Sequence, residues 1–136
     1  MAHSKFRTEV LTPEGQVFND EVEMISTTTA VGSIGILANH EPVLAMLDPT
    51  ELRLYKTESE VVRFAQAEGY LQVADNYALI LVQEAIAPGD LDAGSLRERL
   101  QQAEHELDSA GEDTEKRRVA ERDKTRLEQF LKIAEG

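Results

Sequence analysis

The residues that could carry out chemistry in this chain are few. There are three histidines and no cysteine among 136 residues, which excludes thiolate catalysis, disulfides and cysteine-based metal sites. His40-Glu41 matches the start of the zinc-protease pattern, but Leu44 occupies the position of the second histidine and Pro42 opposes a helix there. No nucleophile elbow, P-loop or dinucleotide-binding fingerprint is present. We therefore predict a protein without catalysis, metal or cofactor of its own. A small hydrolase that uses His40 and Glu41 is one alternative, because triads assemble in space.

The composition limits the classes of partner. A formal net charge of −12 argues against nucleic acid or an anionic membrane as the partner of the whole surface. Residues 1–6 lack the apolar core of a signal peptide, and no stretch approaches the roughly 18 uncharged apolar residues of a membrane span. We therefore expect a soluble protein that reaches a membrane only through other proteins.

Short strand-like segments follow one another up to about Pro88. Thr12-Pro13-Glu14-Gly15 has the composition of a turn, and turn signals recur about every 8 to 12 residues between apolar or β-branched segments. This spacing is typical of an antiparallel β-sandwich or barrel, and we favour the sandwich. The predicted strands are residues 9–11, 22–27, 52–55, 61–65, 70–73 and 78–82.

After Pro88 the periodicity becomes helical. Apolar residues recur on one helical face up to an interruption at residues 108–111, and a second helical stretch begins near Asp113. Two helices joined by a short glycine-containing link predict an αα-hairpin. We place the boundary between a sandwich domain, residues 1–88, and a hairpin domain, residues 89–136. The stripe on the first helix consists of Leu96, Leu100, Ala103 and Leu107.

The helices carry two further signals. Ser95 and Glu98 have the spacing of a capping box, which predicts that the first helix begins at Ser95. The second helix is the only basic element of an acidic chain, with seven basic and five acidic residues between 113 and 134. Few of these charges have a partner at i,i+4 spacing, so we expect positive charge to remain for an acidic partner. Three buried leucines contribute only about 5 to 9 kcal/mol gross, which predicts a hairpin that can detach.

Several runs of residues resemble the epsilon subunit of F-type ATP synthases, in its bacterial form. The most specific run is Gly32 to Pro42, which follows the family pattern Gly-x-x-Gly-Ile-Leu-x-x-His-x-Pro. Residues 12–22, 52–53, 69–73 and 78–82 and the pair Leu91-Asp92 also fall in register with the family. The resemblance covers nearly the whole chain.

The resemblance implies a sandwich of about ten strands in the rotor of the enzyme. This non-catalytic subunit would couple an ion-driven c-ring to the catalytic head for ATP synthesis, on the cytoplasmic side of the bacterial plasma membrane. We expect Gly32 to Gly35 to form a tight loop against the c-ring, and an exposed His40 to contact the gamma subunit. The contact residues that the resemblance implies are Gly32, Ser33, Ile34, Gly35, Asn39, His40 and Pro42.

The resemblance also implies that the helical hairpin is regulatory. Folded against the sandwich it would permit rotation, and extended toward the alpha and beta subunits it would inhibit ATP hydrolysis. A weakly held hairpin with a basic second helix suits such a two-state element. The implied inhibitory contacts are Arg117, Arg118, Arg122, Lys124 and Arg126.

The sequence departs from the family at a few positions. Some members bind ATP at the hairpin through Ile/Leu-Asp-x-x-Arg-Ala. Here Asp92 is present, but Ser95 and Leu96 replace the Arg and Ala. We therefore expect no ATP binding, which calorimetry of the chain with ATP would test. Ser33 replaces a frequent acid, so the ring contact should depend on backbone shape, and Glu68 replaces the first glycine of a frequent pair. The main alternative is a β-sandwich adaptor with a helical arm, unrelated to the ATPase.

Overall fold

Ten strands precede two helices in the computed structural model, which describes residues 3–136. The chain divides into two compact units between Ala87 and Pro88. Met1 and Ala2, which belong to the segment compared above with a signal peptide, lie outside the described residues. No helix within residues 3–136 combines the length and the apolar character needed to cross a membrane.

The strands of the first unit are short, between two and eight residues each. They are β1 Phe6–Thr12, β2 Gly15–Val22, β3 Met24–Thr29, β4 Gly32–Leu37, β5 Val43–Leu47, β6 Thr50–Tyr55, β7 Val61–Gln66, β8 Gly69–Ala74, β9 Tyr77–Val82 and β10 Ala85–Ile86.

The strands form one continuous hydrogen-bonded sheet in the order β10-β7-β6-β3-β5-β8-β9-β1-β2, with β4 paired to β3. Strand β3 changes partner along one edge: Met24 to Ser26 pair with β6, and Thr29 pairs with Leu47 of β5. This change lets one sheet fold over into the two layers of a sandwich. The predicted antiparallel sandwich is thus confirmed, with the difference that β1 and β9 run parallel.

The core of the sandwich follows from alternation along the strands. Inward residues of nearly every strand are fully buried, while their neighbours face outward. A buried polar pair is satisfied internally, because Thr27 Oγ1 lies 2.6 Å from Gln66 Oε1 and Gln66 Nε2 donates to the Asp48 carbonyl at 2.8 Å. The core cluster comprises Phe6, Val10, Val22, Ile25, Ile36, Leu47, Leu52, Leu54, Leu71, Val73, Ala78, Ile80 and Val82.

The predicted loop at Gly32 to Gly35 is wrong, because these residues begin strand β4. The segment pairs along its whole length with β3, from Thr29 opposite Gly32 to Met24 opposite Leu37. Its two glycines hide the strand pattern in the sequence, yet Ile34 and Ile36 point toward the core as a strand requires. The single strand predicted over 22–27 is likewise divided at Glu23, where β2 ends and β3 begins.

The second unit is the predicted αα-hairpin, with α1 Ala93–Ser109 and α2 Thr114–Glu135. The link between the helices includes Gly111, whose φ of 57° lies in the left-handed region. An ion pair of 2.7 Å joins Arg97, near the start of α1, to Glu135 at the end of α2, so the helices run antiparallel. Buried residues of the two helices are Leu96 and Ala103 on α1, and Ala120, Leu127 and Phe130 on α2.

The predicted start of α1 at Ser95 is wrong. The N-cap is Asp92, whose carboxylate accepts a hydrogen bond from the Ser95 amide at 3.2 Å. Asp92 and Ser95 are both good capping types, but a start at Ala93 places Leu96 in the first turn, where it is buried. Helix α2 begins as predicted, with Asp113 as its N-cap accepting from the Lys116 amide at 3.0 Å.

Candidate interaction surfaces

The turn between β3 and β4 carries a solvent-exposed apolar residue at its apex. Thr29 Oγ1 donates to the Gly32 carbonyl at 2.8 Å and accepts from the Val31 amide at 3.2 Å, which fixes the turn from within. Gly32 has a φ of 131°, a conformation that a side chain would strain. Val31 at the apex is 97% exposed. Val31 is absent from the contact residues expected from the sequence, although its place beside a turn glycine was a signal that could have identified it.

The four residues expected from the sequence to contact the c-ring differ in their exposure. Gly32, Ser33 and Gly35 are exposed. Ile34 instead packs against the sandwich core. Only Gly32, Ser33 and Gly35 are therefore placed to touch a partner.

The segment 38–42 is held by the sandwich. Asn39 has a φ of 63°, and its amide donates to the side chain of Asn76, in the turn between β8 and β9, at 2.7 Å. His40 is half-buried rather than exposed as predicted, and its Nδ1 donates to the Glu41 carbonyl at 2.7 Å. Pro42 is exposed. His40 is therefore bonded to the local backbone. Within residues 3–136, no His, Cys, Asp and Glu side chains cluster to hold a metal.

An apolar row crosses the outer face of β5, β8 and β9. Met46 lies opposite Tyr70, and Tyr70 lies opposite Leu81 in the register of these strands. Leu44 lies two residues from Met46 on the same face. The four side chains, which we call the apolar row, are Leu44, Met46, Tyr70 and Leu81, with exposures of 71%, 61%, 51% and 44%. The Ala30 amide donates to the Met46 carbonyl at 3.0 Å, so the row continues into the β3–β4 turn. An exposed apolar patch of this kind indicates a protein-binding surface.

The basic residues of α2 are paired locally to a greater extent than predicted. Arg118 forms an ion pair with Glu115 at 2.6 Å, and Arg122 forms one with Asp123 at 3.1 Å. The hydrogen bond from Arg118 lowers the pKa of the Glu115 carboxyl below its usual value. Arg117 donates to the Gly111 carbonyl at 2.8 Å. The prediction of little local pairing is therefore wrong for Arg118 and Arg122, because their partners lie at i−3 and i+1 rather than at i±4.

The structure does not gather all five predicted inhibitory residues on one side of α2. At about 100° per residue, Arg118 and Arg122 lie about 40° apart on the outer face, and both are exposed. Lys124 and Arg126 lie about 160° apart and are half-buried. Arg126 lines the groove between the two helices together with Arg99, Glu106 and Asp123. Arg118 and Arg122 are therefore the members of the set that a partner could reach together.

A charge cluster on β6 and β7 stabilises the sheet rather than forming a binding site. Arg53 and Arg63 lie directly opposite each other, an arrangement of like charges that destabilises a strand pair. Glu51 offsets this repulsion, because it accepts from Nε of Arg53 at 2.9 Å and from Nε of Arg63 at 2.5 Å. The Arg63 hydrogen bond, reinforced by Arg53 and opposed by burial, lowers the pKa of the Glu51 carboxyl.

We expect Glu51→Gln to destabilise the sandwich by about 1 to 2 kcal/mol at neutral pH, since the charged acceptor between two arginines is lost. A carboxyl whose folded pKa is lowered adds stability above its unfolded pKa, and that stability is lost as pH falls through the folded pKa. The difference in unfolding free energy between wild type and variant should therefore shrink as the pH falls below 4.5, the ordinary pKa of a glutamate carboxyl. Urea unfolding at a series of pH values measures this difference, and a difference that stays constant down to about pH 3 would contradict the prediction.

Comparisons with known proteins agree on one family. The family model described as "ATP synthase, Delta/Epsilon chain, beta-sandwich domain" matches residues 5–88. The ATP synthase epsilon chain of Sulfurihydrogenibium sp. (strain YO3AOP1) is 32% identical over 129 residues, which covers 95% of this chain and 96% of that relative. The ATP synthase epsilon chain of Priestia megaterium is 39% identical over 105 residues, covering 76% of this chain and 77% of the relative.

Solved structures show the same fold. A chain of the Euglena gracilis mitochondrial ATP synthase, in a structure of its OSCP/F1/c-ring assembly, matches with a TM-score of 0.81 and 22% identity, over 97% of this chain and 82% of that one. These matches contradict the two alternatives drawn from the sequence, an unrelated adaptor and a small hydrolase. The chain therefore belongs to the ATP synthase epsilon chain family, whose members are non-catalytic subunits of the stalk.

Proposed function

We propose that this chain is a rotor subunit that joins the gamma subunit to the c-ring and regulates ATP hydrolysis through its helical hairpin. The observation that carries the proposal is the apolar row beside the β3–β4 turn, on a sandwich whose core is otherwise complete. The similar epsilon chains and the ATP synthase assemblies that contain the same fold support this role. We propose a peripheral location on the cytoplasmic side of the bacterial plasma membrane, reached through the complex alone.

The apolar row is the surface that we assign to gamma. Its residues stand on rigid strands, and Tyr70 at its centre is an amphipathic side chain of the type enriched at interface hot spots. The sandwich has 13 acidic and five basic residues between positions 1 and 89, so its negative charge as a whole favours a basic partner surface.

We expect Met46→Glu to weaken binding of the full chain to an ATP synthase stripped of this subunit by about 30-fold or more, because hot-spot losses are at least about 2 kcal/mol. Met46 is 61% exposed, so the variant should fold normally. Gln101→Glu, at an exposed position of helix α1, is the control for the added negative charge and should bind within about threefold of wild type. Titration by fluorescence anisotropy measures both, and equal affinity of Met46→Glu and wild type would exclude the row as the gamma surface.

The apex of the β3–β4 turn is the surface that we assign to the c-ring. Val31, Gly32 and the side chain of Ser33 are exposed and carry no charge, so the contact would depend on the shape of the turn. Ser33 supplies no carboxylate for an ion pair at this position.

The hairpin is the regulatory part of the proposal. Arg118 and Arg122 are the exposed pair that an acidic segment of the beta subunit could engage when the hairpin extends. Such an engagement must replace their ion pairs with Glu115 and Asp123. We further propose that the hairpin works without bound ATP, because the Asp92 carboxylate is occupied as the N-cap of α1.

A further inference from the structure

Strand β4 has one edge without a partner. Three strands pair on one side alone among residues 3–136: β2, β4 and β10. An exposed strand edge is a template for another chain, and proteins normally protect it by charge or by short length. Strand β10 has only two residues, and β2 carries Asp20 and Glu21. Strand β4, with the sequence Gly-Ser-Ile-Gly-Ile-Leu, has six residues and no charge or proline.

The backbone groups on this edge can be identified. The Asp48 amide donates to the Thr28 carbonyl and the Ala30 amide donates to the Met46 carbonyl, so Thr28 and Ala30 point toward β5. Backbone direction alternates along a strand, so Thr29, Thr27 and Ile25 point toward β4 and bond to Gly32, Ile34 and Ile36. The groups that face away from β3 therefore belong to Ser33, Gly35 and Leu37, consistent with the His40 amide donating to the Leu37 carbonyl at 3.2 Å.

Five groups remain on the open edge after that turn bond is counted. They are the N–H and C=O of Ser33, the N–H and C=O of Gly35 and the N–H of Leu37, over about 13 Å of strand. None of them forms a hydrogen bond within the part of the chain described by the structure. The space beside Gly35 is open, since a Cβ there would come no nearer than 4.0 Å to any neighbour.

A pocket lies at the Leu37 end of this edge. It has a volume of about 200 Å³, and its lining residues are Met24, Leu37, Tyr55 and Thr57 together with Glu23, Glu58 and His3. A residue of an added strand opposite Leu37 would point its side chain to the same face as Leu37. Apolar walls with carboxylates suit a lysine or arginine, whose stem is apolar and whose head is cationic.

We propose that the open edge of β4 binds an extended segment of the gamma subunit by strand addition, with a lysine or arginine of that segment in the pocket beside Leu37. This inference rests on the proposed function and specifies how gamma is held. The edge begins at the β3–β4 turn, which already adjoins the apolar row at Met46, so the two surfaces form one continuous interface. Backbone pairing supplies the affinity and the pocket supplies the register.

The first test is hydrogen exchange of the full chain, alone and bound to stripped, ring-free F1 complex. The amides of Ser33, Gly35 and Leu37 should exchange rapidly in the free chain and at least about tenfold more slowly in the complex. Rapid exchange of these amides in the complex would overturn the inference while leaving the proposed function intact. Protection that requires the c-ring would overturn gamma as the occupant. Failure of the wild-type chain to bind would overturn the proposed function and the inference together.

The second test uses two variants of one residue. Gly35→Pro removes an edge N–H without removing a bond between β3 and β4, and should weaken binding about tenfold or more. Gly35→Ala keeps the N–H and adds a methyl group in open space, so it should bind within about threefold of wild type. Thermal melting of both free variants separates binding from folding. Loss of binding of similar size in both variants would indicate a contact through the sheet face, which the Cβ of either residue obstructs, and would refute strand addition, as would normal binding of Gly35→Pro.

Discussion

Gly69→Ala is expected to destabilise the β-sandwich by about 3 kcal/mol, the upper range for inserting an atom into a packed interior. A Cβ at this position would overlap the Leu81 carbonyl oxygen and would lie 2.7 Å from the Val82 Cα. Both atoms belong to the backbone of β9, so no side chain can rotate away. The strands would have to separate where β8 begins. Chemical unfolding in urea measures the loss.

The chain provides a matched control for this substitution in the same sandwich. Gly35→Ala also adds one methyl group to a strand glycine, but in open space, and should change stability by no more than about 1 kcal/mol, with a stabilising sign. Equal stabilities of the two variants would show that the close approach of β8 and β9 is not what fixes Gly69. The preceding position is different. Glu68 replaces the first glycine of the pair that is frequent in the family, and its side chain is accommodated half-buried.

Removal of the hairpin is expected to raise ATP hydrolysis by the assembled enzyme about fivefold or more, the lower end of a typical coupling free energy between sites. A chain that ends at Ala87 keeps every residue of the sandwich core cluster, so it should fold and still occupy its place in the complex. What it loses is the basic helix proposed to restrain the catalytic head. Steady-state ATPase assays of reconstituted complexes with equal subunit content measure the effect.

A double substitution tests, in the same ATPase assay, whether the charge of α2 rather than the presence of the helix restrains hydrolysis. Arg118→Gln combined with Arg122→Gln removes the exposed pair and should reproduce a large part of the increase, whereas Lys132→Gln, elsewhere on α2, should not. Hydrolysis that is unchanged in the deletion would refute the regulatory proposal. An increase in the deletion without one in the double variant would leave regulation but remove Arg118 and Arg122 as its contacts.

The sequence predicted the β-sandwich and the hairpin well, because turn residues and apolar periodicity are local signals. It missed β4 because an exposed edge strand with glycines at 32 and 35 lacks β-propensity of its own, and pairing with β3 decides its conformation. It placed the start of α1 at Ser95 because a capping box counts only local partners. The burial of Leu96, a tertiary contribution, favours the start after Asp92.

The interaction surfaces were harder to predict than the fold. Met46, Tyr70 and Leu81 belong to strands whose apolar residues face both ways, so the sequence alone could not distinguish the outer face from the core. Their grouping depends on the register of three strands, which only the structure supplies. The ion pairs of Arg118 and Arg122 were also hard to predict. Their partners, Glu115 and Asp123, lie at i−3 and i+1, outside the i±4 spacing, and the pairing depends on side-chain conformations.

The parallel pairing of β1 with β9 has a consequence for synthesis of the protein on the ribosome. Strand β1 pairs with β2 through a two-residue turn, but its other neighbour, at Tyr77 to Leu81, lies about 70 residues further along the chain. The first strand to leave the exit tunnel must therefore wait until β9 has emerged before its second edge is covered. Early hairpins can form during this wait, but closure of the sandwich is a late, non-local and hence slow event of folding. The helices, translated after β9, would emerge as the sandwich closes.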